Sequence, residues 1–236
     1  IDSVIQKPLS SYKLEHPTKN ASYYIVDNFI LSYNPKDKQL LVTECKSSNL
    51  YTNDIHLYHQ SAESLVICMS KDGYYYASGD TEGKIYIWSP KINAPRYSFN
   101  ECTSSVTTLS FNKSNDKILS AREDGSVILY SLDEESQSSL LFQHDAEVKR
   151  VFFMGELILS IGKDGQINLY DLAKQQITKT LKLESGVKDV TLAYERTCFI
   201  LLTDDDRLLL INMEYFEKEP LEIDRTVPEV NSLTFD

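Results

Sequence analysis

A chain of 236 residues, 42% of them hydrophobic, can bury a substantial core, and its 24 Lys and Arg against 35 Asp and Glu leave a net charge of −11. Such a surface repels phosphate backbones at long range, which argues against direct nucleic-acid binding and for a protein partner with a basic segment. No apolar run approaches the ~18 to 20 residues of a membrane-spanning helix, and residues 1–20 lack the charged-then-apolar order of a signal peptide, so no membrane association is expected.

Residues 1–21 are polar, contain Pro8 and Pro17, and read as a lead-in segment before a β domain over 22–236. From Tyr23 three short apolar runs, YYIVD, FILSY and KQLLVTE, are separated by turn signals at Asp27-Asn28 and Asn34 to Asp37. They are expected to form a partial blade over 22–45, followed by a polar linker over 46–62 whose NDIHLYHQ portion could add a strand.

From Ser64 a four-strand rhythm sets in, giving units over about 63–100, 101–143, 144–183 and 184–224. The first strands read SLVICM, VTTLSF, VKRVFF and VKDVTLA; the third strands read KIYIWS, SVILYS, QINLYD and RLLLIN. Between the second and third strands, Gly83, Gly125, Gly165 and Asp206 stand 42, 40 and 41 residues apart, a period that signals a repeat architecture. After Thr226-Val227-Pro228, VNSLTF within 229–236 matches the first strand of a unit. Alternating second and third strands suit half-buried antiparallel β structure, and the continuous apolar run of the first strand suits one covered on both faces. Units that cannot bury their faces alone close most economically as blades around an axis.

These residues resemble the WD-repeat β-propeller family, whose pattern sets a His before the first strand, a Ser or Thr in the second, an Asp-Gly turn, and a Trp then Asp ending the third. The third full unit is the nearest match, with His144, Val148, Ser160, Asp164, Gly165, Tyr170 and Asp171. The resemblance implies an all-β fold of four-stranded antiparallel blades, and a hydrogen-bond network inside the blade joining His144, Ser160, Asp164 and Tyr170. Other units depart from the pattern: Glu82 stands in the Asp position beside Ser78 and Trp88, and Cys102 stands where His would be beside Ser120, Asp124 and Tyr130. Four full blades plus a split one are expected, either as part of a larger ring, seven blades needing roughly 290 residues at this period, or closed into five by VNSLTF meeting the opening strands. An Ile at position 1 in place of Met fits a piece of a longer or processed chain. The opening also looks like the start of large multi-propeller proteins of the cytoskeleton and cilia.

Sites for chemistry are sparse. His56 and His59 form an HxxH beside Asp54, but in a loop or strand rather than on a helix, where they would share a face. His144 with Asp145 and Ser160 suggests a triad until the blade network absorbs His144, and no phosphate-cradling glycine motif is present. Cys45, Cys68, Cys102 and Cys198 lack metal or redox spacing and read as buried thiols of a reducing, cytoplasmic compartment. No catalytic residue, metal or cofactor is expected.

Charge on one face is the more informative feature. Loops entering first strands and turns between second and third strands share one side of such a fold, and here they carry Asp80, Glu82, Glu101, Glu123, Asp124, Asp145, Glu147, Asp164, Glu184, Asp204, Asp205, Asp206 and Asp224. Opposing them are Lys84, Arg122, Lys163 and Arg225. The candidate partner-binding set is Asp80, Glu82, Glu123, Asp145, Glu147, Asp204, Asp205 and Asp206. Part of this acidity serves turn geometry. The expected function is a non-enzymatic interaction scaffold within a large eukaryotic assembly, cytoskeletal or ciliary in setting. The alternatives are an adaptor for a basic peptide and a regulatory propeller attached to an enzyme.

Overall fold

A computed structural model of the chain describes residues 22–26, 29–34, 39–46, 49–56, 65–89, 92–133, 137–193, 198–216 and 218–223. The lead-in over 1–21, His59, Asp224, Arg225 and the VNSLTF segment, expected to be a strand, lie outside the described residues.

Among the described residues, twenty strands form five four-stranded antiparallel sheets, each built from consecutive strands in simple order. Sheet 1 holds β1 (Ser22–Val26), β2 (Phe29–Asn34), β3 (Gln39–Lys46) and β4 (Asn49–His56). Sheet 2 holds β5 (Leu65–Met69), β6 (Tyr76–Asp80), β7 (Ile85–Ser89) and β8 (Ile92–Phe99). Sheet 3 holds β9 (Val106–Phe111), β10 (Lys117–Arg122), β11 (Ser126–Ser131) and β12 (Ser138–Gln143). Sheet 4 holds β13 (Val148–Met154), β14 (Leu157–Gly162), β15 (Gln166–Asp171) and β16 (Gln176–Lys182). Sheet 5 holds β17 (Val187–Ala193), β18 (Cys198–Thr203), β19 (Leu208–Asn212) and β20 (Leu221–Ile223), with a 3-10 turn over Met213–Tyr215.

The opening of the chain differs from the partial blade and linker expected there. Residues 49–56, read as part of a polar linker, pair along their whole length with β3, from Lys46↔Asn49 to Gln39↔His56. Continuous antiparallel backbone pairing with β3 outweighs the polarity of this segment. Sheet 1 therefore takes all four of its strands from 22–56 and needs none from elsewhere.

First strands of consecutive sheets are neighbours: β1 with β5, β5 with β9, β9 with β13 and β13 with β17. Because strand side chains alternate, each sheet presents one face backward and one forward along this stack. Forward-facing Leu119, Ala121 and Val127 of sheet 3 pack with Val148, Val151 and Phe153 of β13 and with Ile158 and Tyr170 behind it. The next seam repeats the arrangement, Leu159, Ile161, Ile167 and Leu169 meeting Val187, Val190, Phe199 and Leu201. Outer strands β12 and β16 are mostly exposed, as they border solvent.

Polar groups stitch the same seams about one repeat apart in sequence. The Thr107 hydroxyl donates to the Val148 carbonyl at 2.6 Å, Tyr97 to the Leu132 carbonyl at 2.7 Å, and the Asn115 amide to Asp72 at 2.7 Å. Arg150 pairs with Asp189 at 3.2 Å between β13 and β17.

The periodic turn residues have a backbone reason. Gly83, Gly125 and Gly165 have φ of 84°, 89° and 82°, and Asp206 takes the same left-handed conformation at 65°. A Cβ at Gly125 would collide with the His144 carbonyl oxygen. Gly125→Ala should therefore cost about 2 kcal/mol or more, from left-handed strain and backbone collision together. Asp206→Gly should change stability by less than about 0.5 kcal/mol, since relief of strain offsets loss of an exposed ion pair. Urea unfolding of the two variants checks both.

Candidate functional site

Second-to-third-strand turns and the loops entering first strands lie on one side of the stack, tied to each other by backbone hydrogen bonds. Glu123 N–H donates to the Ser105 carbonyl at 3.0 Å, His144 N–H to Gly125 at 2.9 Å, Lys163 N–H to Glu147 at 2.8 Å, and Asp204 N–H to Gly186 at 2.9 Å. The acidic residues singled out from sequence that fall in these turns and loops, apart from Asp224, are thereby gathered on one face.

They are not equivalent on it. Asp80 is 2% exposed, its Oδ1 accepting the Glu82 and Lys84 amides at 3.0 and 2.8 Å, so it holds the turn and cannot reach a partner. Glu82 pairs with Lys84 at 2.6 Å, Glu147 with Lys149 at 3.0 Å and Lys163 at 3.5 Å, Asp205 with Arg207 at 2.7 Å, and Asp206 with Lys188 at 2.7 Å. Asp164 accepts from Lys182 at 2.6 Å and from the Gln166 amide at 3.1 Å. Burial raises the Asp164 pKa, but Lys182 and the Gln166 amide outweigh it and hold the carboxyl below the ordinary carboxylate value. Exposed Glu123, Asp145 and Asp204 have no side-chain partner among the described residues. Lys149, Lys182, Lys188 and Arg207 were missed from sequence: Lys182 and Lys188 lie 18 residues from Asp164 and Asp206 and reach them through cross-strand register, whereas Lys149 and Arg207 stand two residues from Glu147 and Asp205 and their local pairing was legible.

Arg122, counted as an opposing surface cation, is 1% exposed. Its guanidinium donates to the Ser104 carbonyl at 2.7 Å, to the Gly83 carbonyl of the preceding sheet at 3.2 Å, and to the Tyr130 hydroxyl at 2.9 Å. It occupies the β10 position equivalent to Asp80, Gly162 and Thr203, in the blade whose His position holds Cys102. That coincidence of an odd charge and a missing His was the available signal.

The network around His144 is also rearranged. His144 is 3% exposed and its Nε2 lies 2.8 Å from Ser160 Oγ and 3.3 Å from Asn168 Nδ2, while Thr180 donates to Asn168 Oδ1 at 2.9 Å. Asn168, opposite Ser160 in the β14–β15 pairing, holds the place expected of Tyr170 in this network. Tyr170 stacks on Phe142 instead, ring centres 5.1 Å apart. Asp164 Oδ1 and His144 Nδ1 both border Gly162, where a Cβ would lie 2.5 and 2.9 Å from them. In sheet 2 a simpler pair does the same work, Trp88 Nε1 donating to Ser78 Oγ at 3.1 Å.

His144, Asp145 and Ser160 do not make a nucleophilic set: Ser160 is fully buried and Asp145 points outward as an exposed loop residue. His56 closes a strand, not a helix. Among the described residues no group of three or more His, Cys, Asp or Glu is placed to hold a metal ion, and no helix is long and apolar enough to cross a membrane. Burial pushes the Cys68 thiol pKa up, and no disulfide joins Cys68, Cys102 and Cys198. On the opposite rim, a groove of about 400 Å³ runs between β12 and the β15–β16 turn, lined by Leu129, Leu140, Leu141, Tyr170 and Leu172.

Two substitutions test these assignments. Arg122→Ala should cost about 3 kcal/mol or more by leaving two carbonyls and a hydroxyl without their donor, and Arg122→Lys should not restore it, lacking the planar fork. Burial lowers the His144 pKa below 6.5 despite the Asp164 and Asp145 charges. Below that pH the unfolded chain takes up a proton that the folded chain refuses. Stability should then fall on acidification by up to about 1.4 kcal/mol per pH unit until the folded pKa is reached. Thermal melts from pH 7 to pH 5 should show this slope reduced in His144→Asn.

Comparison with known proteins agrees with this geometry. The family model for the WD domain, G-beta repeat, matches residues 93–131, which span β8 of sheet 2 and β9 to β11 of sheet 3. The chain is 24% identical over 126 residues to the U3 snoRNP-associated protein-like EMB2271 of Arabidopsis thaliana, covering 53% of this chain and 26% of that protein. It is 35% identical over 97 residues to the Periodic tryptophan protein 2 homolog of Caenorhabditis elegans, covering 40% of this chain and 10% of that protein. The chain thus spans about a quarter or less of either relative. A crystal structure of the computationally designed Ika8 protein superposes with a TM-score of 0.69 at 20% identity, over 91% of this chain and 64% of that one, a likeness of fold. With one repeat at 93–131 matched by the family model and, among the described residues, five four-stranded sheets following each other in repeat order, the chain carries a WD repeat and its sheets are arranged as the blades of WD-repeat propellers.

Proposed function

We propose that this chain is a non-enzymatic scaffold that holds partner proteins on its loop face, and that it works within a ribonucleoprotein assembly. The observation that carries the scaffold reading is the division of the acidic face. Asp80, Asp164 and Asp205 are consumed by turns and internal pairs, whereas Glu123, Asp145 and Asp204 stand exposed on three successive blades. Loops held by rigid sheets are where recognition residues accumulate, and carboxylates spaced over several blades suit a segment bearing several Arg or Lys.

The setting is supported by the relative named as U3 snoRNP-associated. It replaces the cytoskeletal or ciliary setting expected from the opening strands, which the relatives do not support. Within such an assembly the negative surface favours contact with the basic proteins rather than with the RNA itself.

The triple variant Glu123→Lys, Asp145→Lys and Asp204→Lys should retain the wild-type melting temperature within a few degrees, these side chains being exposed. In affinity capture followed by mass spectrometry it should lose the basic proteins that the wild type retains. Retention of the same proteins by the variant would show that the acidic face is not the docking surface. Recovery of no stable protein by the wild type would remove the scaffold reading.

A further inference from the structure

An unpaired strand edge is a template for another strand unless charge or proline guards it. Among the described residues each sheet ends in such an edge on its outer strand. β4 carries Asp54 there, β8 Pro95 and Arg96, β16 Lys179 and Lys182, and β20 Glu222. β12, with the sequence SSLLFQ, carries neither a charge nor a proline. At its middle the Leu140 side chain is 61% exposed.

The backbone of this edge is open to pairing as well. Ser131 N–H donates to the Gln137 carbonyl at 2.8 Å, and the register continues as Tyr130↔Ser138, Leu129↔Ser139 and Ile128↔Leu140. Hydrogen-bonded and open pairs alternate along an antiparallel ladder. Ser139 therefore turns its amide and carbonyl to β11, while Ser138 and Leu140 turn theirs away from the sheet. Beside the edge runs the groove of about 400 Å³ lined by Leu129, Leu141, Tyr170 and Leu172. Carboxylates flank both: exposed Glu156 lines the groove, and exposed Glu101 accepts from the Ser138 hydroxyl. The cation of the lining, Lys117, follows Asp116 in the chain, and the two charges offset each other.

We propose that β12 takes up an extended segment of a partner protein as an added strand of sheet 3, with an apolar side chain in the groove and Lys or Arg reaching Glu156 and Glu101. Charge selects this occupant, because a second copy would bring the same carboxylates and another net charge of −11 to the contact. The edge shares no residue with the loop-face set Glu123, Asp145 and Asp204, so loss of one surface leaves the other intact.

Panning a displayed library of random peptides against the full chain tests the edge. Enriched peptides should share apolar residues at alternate positions flanked by Lys or Arg, and synthetic copies should slow hydrogen exchange at the Ser138 and Leu140 amides when bound. Leu140→Pro removes an outward N–H and leaves the ladder to β11 whole, so it should bind these peptides about tenfold more weakly or worse. Glu156→Lys should weaken them by about the same factor, and the triple lysine variant of the loop face should bind them as the wild type does. Enrichment of no such peptide, or peptides lost by the loop-face variant and kept by Leu140→Pro, would overturn the proposal. So would a dimer in light scattering that Leu140→Pro abolishes, because a second copy would then be the occupant. Should Leu140→Pro not fold, Leu140→Lys decides: it exchanges an exposed side chain, sets a charge on the edge, and should weaken the peptides equally, whereas unchanged binding would rule the edge out.

Discussion

No four-stranded sheet of this chain can bury its own faces. In sheets 2 to 5 the second and third strands carry apolar side chains on both sides, and a sheet covers neither by itself. The structure's central constraint is therefore the seam, in which the forward face of one sheet receives the first strand of the next. Leu159, Ile161 and Ile167 beneath Val187 and Val190 show it plainly, with every one of them under 4% exposed. Burial on that scale favours the stack by about 1.5 to 3 kcal/mol for each large side chain covered. It also makes each repeat depend on its neighbour, as in other repeat proteins. The matched repeat at 93–131 straddles two sheets, so a single sequence unit spans a seam rather than a blade.

Polar groups near the seams are solved differently from blade to blade. Trp88 with Ser78, Arg122 with Tyr130, and His144 with Ser160 and Asn168 each satisfy buried donors and acceptors close to the turn between second and third strands. Arg122 is the unusual member. A guanidinium shielded from water normally wants a carboxylate, and here two carbonyls from different sheets and a phenol take that role. Its charge still reaches outward, helping to hold the Asp124 carboxyl below its ordinary pKa against the effect of burial.

Electrostatics on the loop face follows from this arrangement. Register brings Lys182 to Asp164 and Lys188 to Asp206 from strands far from the turns in sequence. These exposed pairs contribute little to stability, about 0 to 1 kcal/mol each. Their effect is to cancel part of the acidity locally and to leave Glu123, Asp145, Glu184 and Asp204, among the described residues, as points where the field of a −11 chain emerges unpaired on that rim.

The chain's repeat, its strand order and its turns were legible in the sequence, because they rest on local rules. Side-chain alternation marks strands, and the left-handed conformation at Gly83, Gly125, Gly165 and Asp206 selects Gly or Asp at a fixed period. What sequence could not decide is which side chains meet. Asn49–His56 is polar and reads as a linker until β3 offers it a backbone to pair with. Tyr170 suits the blade network by motif, but Asn168 is the residue opposite Ser160. Asp80 and Arg122 read as surface charges until the turn and the neighbouring sheet enclose them. Periodicity is a property of the chain alone, whereas burial and pairing belong to the residues that come to lie opposite, and those are chosen only when the sheets stack.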